Sequence, residues 1–149
     1  MEEHMKELRT EIQISAPIDK VWQVLTDFDH WKEWNPMVNQ ASGSALKGSK
    51  LEITMRGPDG KDAMKYQPDV IEANMPESFR WRATMMGSIM FTNDRVFELR
   101  EEKGGTIFVN REEFKGLMLP MFWGKMSEFV VPMLEEMNKA LKRKLEVKS

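Results

Sequence analysis

Arg95, Asn110 and Glu112 are the polar residues best placed to do chemistry in this chain, because their spacing can gather them on one apolar surface. The stretch FTNDRVFELREEKGGTIFVNREEFKG (91–116) reads as a β-hairpin turning at Lys103-Gly104. A two-residue turn sets Glu102 opposite Gly105. Leu99 then faces Phe108, Phe97 faces Asn110, and Arg95 faces Glu112. These residues share a parity with Thr106 and Phe114, so their apolar members put the whole set on the inner face of a sheet. Opposite charges across a ladder attract, and either one alone in an apolar site would cost on the order of several kcal/mol. Three roles are open to the set. It can orient the polar head of an otherwise apolar ligand. Glu112 can serve as a general base, as a cyclase requires. Or the ion pair serves only the fold.

Other clusters offer less. DFDHWKEWNP (27–36) crowds Asp27, Asp29, His30 and Glu33, but no spacing there matches a calcium loop or a two-histidine zinc helix. His4 and His30 are the only histidines, and His4 lies near the terminus, so a serine triad has no clear base. GSALKGSK (43–50) echoes a phosphate loop, yet serine precedes the lysine and a hairpin context replaces the strand-to-helix turn. The absence of cysteine excludes disulfides, zinc–thiolate and iron–sulfur sites and thiol catalysis. No metal and no cofactor is therefore expected. A net charge of −2 leaves no footprint for nucleic acid. The longest uncharged apolar stretch, GLMLPMFWG (116–124), falls far short of the roughly 20 residues of a membrane span. The N-terminal residues lack the apolar run of a secretory signal. The expectation is a cytoplasmic domain with no stable membrane insertion, monomeric or homodimeric.

Periodicity supplies the elements that must position these residues. The length suits one domain over 1–149. LRTEIQI (8–14) alternates as a half-buried strand, and Ser15 offers a capping hydroxyl to a helix with Pro17 in its first turn. Ile18, Val21, Trp22, Leu25 and Phe28 then make an amphipathic helix. Trp31 and Trp34 predict a second short helix, stopped by Asn35-Pro36. MVNQAS, SKLEITMR, MKYQPDVIEA and ESFRWRATMM read as strands, with Pro68 marking an edge or a bulge. Phe79 and Trp81 take the inner face of theirs, while Arg80 and Arg82 point to solvent. Residues 118–147 predict a long helix with a stripe of Met126, Val130, Met133 or Leu134, Met137, Leu141 and Leu145, kinked at Pro132. Met118, Met121, Phe122 and Trp123 are too many for that stripe. They pack where sheet meets helix, or they form a cavity mouth that touches a membrane or partner. Fourteen methionines suit either an irregular core or a deformable cavity. The fold class is α+β: a strand, two short helices, then an antiparallel sheet of about six to seven strands in all, curled around the C-terminal helix.

IQISAPIDKVWQVLTDFDHWKEWNP (12–36), FRW (79–81), GGTIFVNREEFKG (104–116) and MNKALKRKLE (137–146) resemble the SRPBCC superfamily and its bacterial polyketide cyclase/dehydrase-like branch. That superfamily shares the helix-grip fold with START lipid-transfer domains and birch-pollen allergen proteins. The resemblance implies a cavity between sheet and long helix that takes a hydrophobic or amphipathic small molecule such as a lipid, polyketide or aromatic. Its sheet side would present Phe79, Trp81, Arg95, Phe97, Phe108, Asn110 and Glu112. Phe122, Met126, Val130 and Met133 would cover it from the helix, and Trp31 and Trp34 would stand at its rim or plug one end. Many members carry histidine where this chain has Arg95 or Asn110, and that departure weakens the case for catalysis. A cyclase or dehydratase using Glu112 and Arg95, or an interaction module like the chaperone-ATPase activators, are the competing expectations.

Overall fold

Strand alternation and turn chemistry divide most of the chain into short antiparallel elements. The computed structural model describes residues 5–146 except 86 and 88, with the backbone alone at 85. In chain order these are β1 (Lys6–Ile14), α1 (Ile18–Thr26), a 3-10 segment (Phe28–Glu33), β2 (Val38–Ser42), β3 (Glu52–Arg56) and β4 (Asp62–Tyr66). Then follow β5 (Asp69–Asn74), β6 (Ser78–Met85), β7 (Phe91–Glu102), β8 (Gly105–Lys115) and α2 (Leu119–Glu146). Five strands pair in the order β1-β8-β7-β6-β5 and three in the order β2-β3-β4.

The stretch 64–73, expected as one strand, is two. Pro68 has no N–H for a ladder, and the chain breaks there into β4 and β5, one in each sheet. Backbone closes the seam: Lys50 bridges Asp69, and the Leu51 N–H donates to the Pro68 carbonyl at 2.9 Å. The break raises the strand count among the described residues to eight and leaves the α+β helix-grip architecture as expected.

Between β7 and β8 the pairs inferred from the turn are the pairs found, from Glu102 opposite Gly105 to Arg95 opposite Glu112. Lys103 and Gly104 have φ of +42° and +82°, the left-handed pair that a two-residue hairpin turn requires. The start of α1 differs from expectation. Pro17 occupies the cap position and its carbonyl accepts the N–H groups of Lys20 and Val21. Ser15 lies too far back to cap, and its backbone N–H donates instead to Glu146 Oε2 at 2.7 Å, tying the link between β1 and α1 to the end of α2.

Arg80 and Arg82 leave the inner face but do not point freely into solvent. Register sets Arg82, Asp94 and Glu113 abreast on three strands, so the long cations bridge carboxylates. Arg82 Nε donates to Asp94 at 2.8 Å, and Arg80 Nη1 donates to Asp94 at 2.8 Å and to Glu113 at 2.7 Å. Arg111 extends the network to Glu113, Glu98 and Glu7.

The inner face carries an aromatic core. Phe79 stacks on Phe97 at 4.7 Å, and Phe97 stacks on Phe108 at 6.0 Å. Phe28, Trp31 and Trp81 complete it, and the Trp31 indole N–H is satisfied by the Leu25 carbonyl at 2.9 Å. Helix α2 closes this core unevenly. Leu134, Met137, Asn138, Ala140 and Leu141 are buried, whereas residues 119–133 bury only Leu119. The helix is continuous through Pro132, which sits on its exposed side.

Candidate ligand-binding site

β7 and β8 carry their inner-face charges just beyond the aromatic core, where the first half of α2 stops covering the sheet. Arg95 Nη1 donates to Glu112 Oε1 at 3.1 Å, and Arg95 Nε donates to Asn110 Oδ1 at 2.8 Å. The two charged side chains are 13% and 12% exposed, so each depends on the other for neutralisation. The guanidinium also lies 5.1 Å from the Phe97 ring centroid and 5.8 Å from that of Trp81, within reach of cation–π attraction. Asn93 Nδ2 donates to the second Glu112 oxygen at 3.0 Å.

From Asn110 a fully buried polar chain crosses the molecule. Asn110 Nδ2 donates to Asn138 Oδ1 at 2.9 Å, and Asn138 Nδ2 donates to Thr10 Oγ1 at 2.8 Å. Thr10 Oγ1 in turn donates to the Asn110 carbonyl at 2.8 Å. Each amide therefore has partners on both its oxygen and its nitrogen, the condition under which a buried polar group costs little. The chain ties β8 to α2 and β1 and fixes the Asn110 oxygen that holds Arg95.

A pocket opens on the free side of the ion pair. Trp31, Met37, Met55, Tyr66, Trp81 and Met133 line it along with Arg95 and Glu112. Its volume is about 20 Å³, room for about one water. The aromatic core fills the rest of the space that a larger cavity would use. Burial pushes the Tyr66 phenol up to about 12; Arg95 opposes that shift and Glu112 adds to it. The pocket thus sets a phenol hydroxyl and the Arg95–Glu112 pair against methionine and tryptophan. A broader groove of about 560 Å³ on the three-stranded sheet is lined mainly by polar side chains, among them Gln40, Glu52, Lys65 and Gln67. It lacks the apolar floor of a lipid or aromatic site.

The family model for polyketide cyclase / dehydrase and lipid transport matches residues 5–146. The chain belongs to that family. No curated protein matches this polyketide cyclase/dehydrase and lipid-transport family member by sequence. Among solved structures it is similar to a START superfamily protein from Mycobacterium smegmatis, with 14% identity, a TM-score of 0.73, and coverage of 94% of this chain and 97% of that one. It is also similar to truncated norcoclaurine synthase from Thalictrum flavum, at 16% identity and TM-score 0.73, covering 99% and 98% of the two chains. The di-domain ARO/CYC StfQ of the steffimycin biosynthetic pathway matches at 10% identity and TM-score 0.77, over 95% of this chain and 51% of that one. This chain therefore spans about half the length of StfQ. Identities this low establish the shared fold alone.

Within this family member the expected residues separate into groups. Trp31, Trp81, Arg95, Glu112 and Met133 meet at the pocket. Phe79, Phe97 and Phe108 are fully buried behind it as core, and Asn110 belongs to the buried polar chain. Trp34 packs edge-on against Trp31, with its indole N–H buried and without a partner among the described residues. Phe122, Met126 and Val130 lie further along α2, partly or largely exposed. His30 is at the surface, its ring bonded to Asp27 at 2.8 Å, and His4 lies outside the described residues. Sequence reasoning missed Tyr66, Asn138 and Thr10. Asn138 left a signal, a polar residue set into an apolar helical stripe between Leu134 and Leu141. Tyr66 left none, because the strand assigned to it was drawn through Pro68.

Proposed function

We propose that this protein binds an apolar or amphipathic small molecule, whose polar head meets Arg95, Glu112 and Tyr66. The carrying observation is a charged pair and a phenol at the end of an aromatic and methionine-lined pocket between sheet and helix. Such a site recognises one polar group precisely placed on an otherwise greasy body. The pocket is too small for a lipid as it stands, so binding displaces the methionines. Met37, Met55 and Met133 are suited to that, since thioether side chains re-pack at little cost. The family's description supports the reading by its mention of lipid transport. Native mass spectrometry of the purified protein, with organic extraction, is expected to find a hydrophobic molecule that Arg95→Met releases. Protein that purifies empty and takes up neither fatty acids nor aromatic polyketides would count against it.

A second reading makes the same pocket catalytic. Glu112 has a carboxylate oxygen accepting from Asn93 and shares the pocket with the Tyr66 phenol, so a base and an acid address one space. A cyclisation or dehydration needs that pair. Glu112→Gln is expected to keep ligand binding and abolish any turnover. If turnover survives the substitution, Glu112 is not the base.

A further inference from the structure

At one end of the molecule two neighbouring segments are rich in exposed apolar side chains and carry no acid of their own. Residues 84–92 and 114–127 contain no aspartate or glutamate, and their only charges are Lys115 and Lys125. The chain as a whole has more acids than bases, 24 against 22, so the local balance runs against the global one. Ile89, Leu117 and Met121 are 73%, 73% and 75% exposed, and Phe122 beside them is 43% exposed.

The two segments are fastened to each other. The Leu117 N–H donates to the Ile89 carbonyl and the Met118 N–H to the Met90 carbonyl, each at 3.1 Å. Between them Gly116 has φ of +130°, and any side chain there would meet the Met90 carbonyl. The exposed side chains are thus presented as one surface by a fixed backbone. Lys6 adds a third cation next to it, 5.9 Å from the ring of Trp123.

We infer that this end docks on an anionic lipid bilayer surface. Apolar side chains enter the headgroup region, and the lysines meet the negative charge around them. No helix among the described residues is long and apolar enough to cross a membrane, so the contact is peripheral. Charge also decides against a second copy of the chain as occupant, because face-to-face pairing would set lysines against lysines. The inference stands apart from the ligand reading, since docking is measured with no ligand present.

Co-sedimentation with phosphatidylcholine vesicles, with and without phosphatidylserine, tests it. Binding is expected to the anionic vesicles, weaker to the neutral ones, and reduced by added salt. Leu117→Glu with Met121→Glu should cut partitioning roughly tenfold or more by removing apolar insertion and adding repulsion. Both positions are exposed, so circular dichroism and the melting temperature should be unchanged. Failure to bind anionic vesicles at low salt would overturn the proposal. So would a doubly substituted protein that binds as the parent does. A parent dimer in light scattering that the double substitution dissolves would instead make this end an interface between copies.

Discussion

Arg95 sits at the centre of the candidate site because it does three things at once. It neutralises Glu112, fixes on Asn110 and covers the aromatic floor, while its Nη2 donates to the buried Met137 Sδ at 3.3 Å. An arginine engaged through all three nitrogens is rigid, and it holds its positive charge fixed in the wall of the pocket. Tyr66 is the more informative residue, because it is the only tyrosine in the chain. Its tyrosinate absorbance therefore reports one site. The folded protein should titrate at about 12, while the unfolded chain titrates near the ordinary value of 10.0. A folded-state value above the unfolded one means that the stabilising difference is complete below the unfolded value and fades as pH rises through the folded one. Spectrophotometric titration in buffer and in denaturant measures both. Coincident midpoints would mean that the phenol is solvated and that the pocket does not enclose it.

Elements were legible in the sequence where local chemistry decides them, and obscure where distant contacts do. The β7–β8 hairpin is determined by Lys103-Gly104 and by alternation, so its register and the Arg95–Glu112 pair could be read directly. The break at Pro68 is a choice between a bulge and a sheet boundary, and only pairing partners on β3 and β6 resolve it. Asn138 meets Thr10 across 128 positions, a contact no periodicity announces. The outer-face network is of the same kind: Arg80 and Arg82 alternate outward as expected, but their carboxylates belong to other strands. The hydrogen bond from Arg80 is the largest influence holding the Glu113 carboxyl below its usual range, with Arg111 adding to it against the effect of burial. The stability this contributes is present above the unfolded carboxylate value of 4.5 and is lost as pH falls through the folded one. Glu113→Gln, which weakens the charge-assisted hydrogen bonds from Arg80 and Arg111, should destabilise the protein by about 2 kcal/mol at neutral pH. That gap should close in acid. Urea denaturation at neutral and acidic pH measures it, and a gap independent of pH would assign the loss to packing.

At the scale of the whole molecule, a small pocket and a proposed large ligand require some part to move, and the distribution of burial names that part. Residues 134–141 of α2 are locked to β1 and β8 by buried side chains and by the Asn138 bonds, while residues 119–133 bury only Leu119. Pro132 stands at the boundary. It has no N–H to give the carbonyl four residues earlier, so the hydrogen-bond ladder is interrupted where the packing changes. Phe122, Met126 and Phe129 share the helical face of Met133 over about 16 Å of axis, and of the four Met133 lines the pocket. Lifting this half would widen the pocket from Met133 outward and leave the core intact. Local opening follows burial, so amides in 120–131 should exchange with solvent on the order of tenfold or more faster than those in 134–145. Pro132→Ala, which restores the missing donor, should narrow that difference and slow ligand uptake, leaving exchange in the second half unchanged. Hydrogen exchange read by mass spectrometry on both proteins measures this. Uniform protection along the whole helix would place the moving part elsewhere, with the three-stranded sheet and its Met37, Met55 and Tyr66 the remaining wall able to yield.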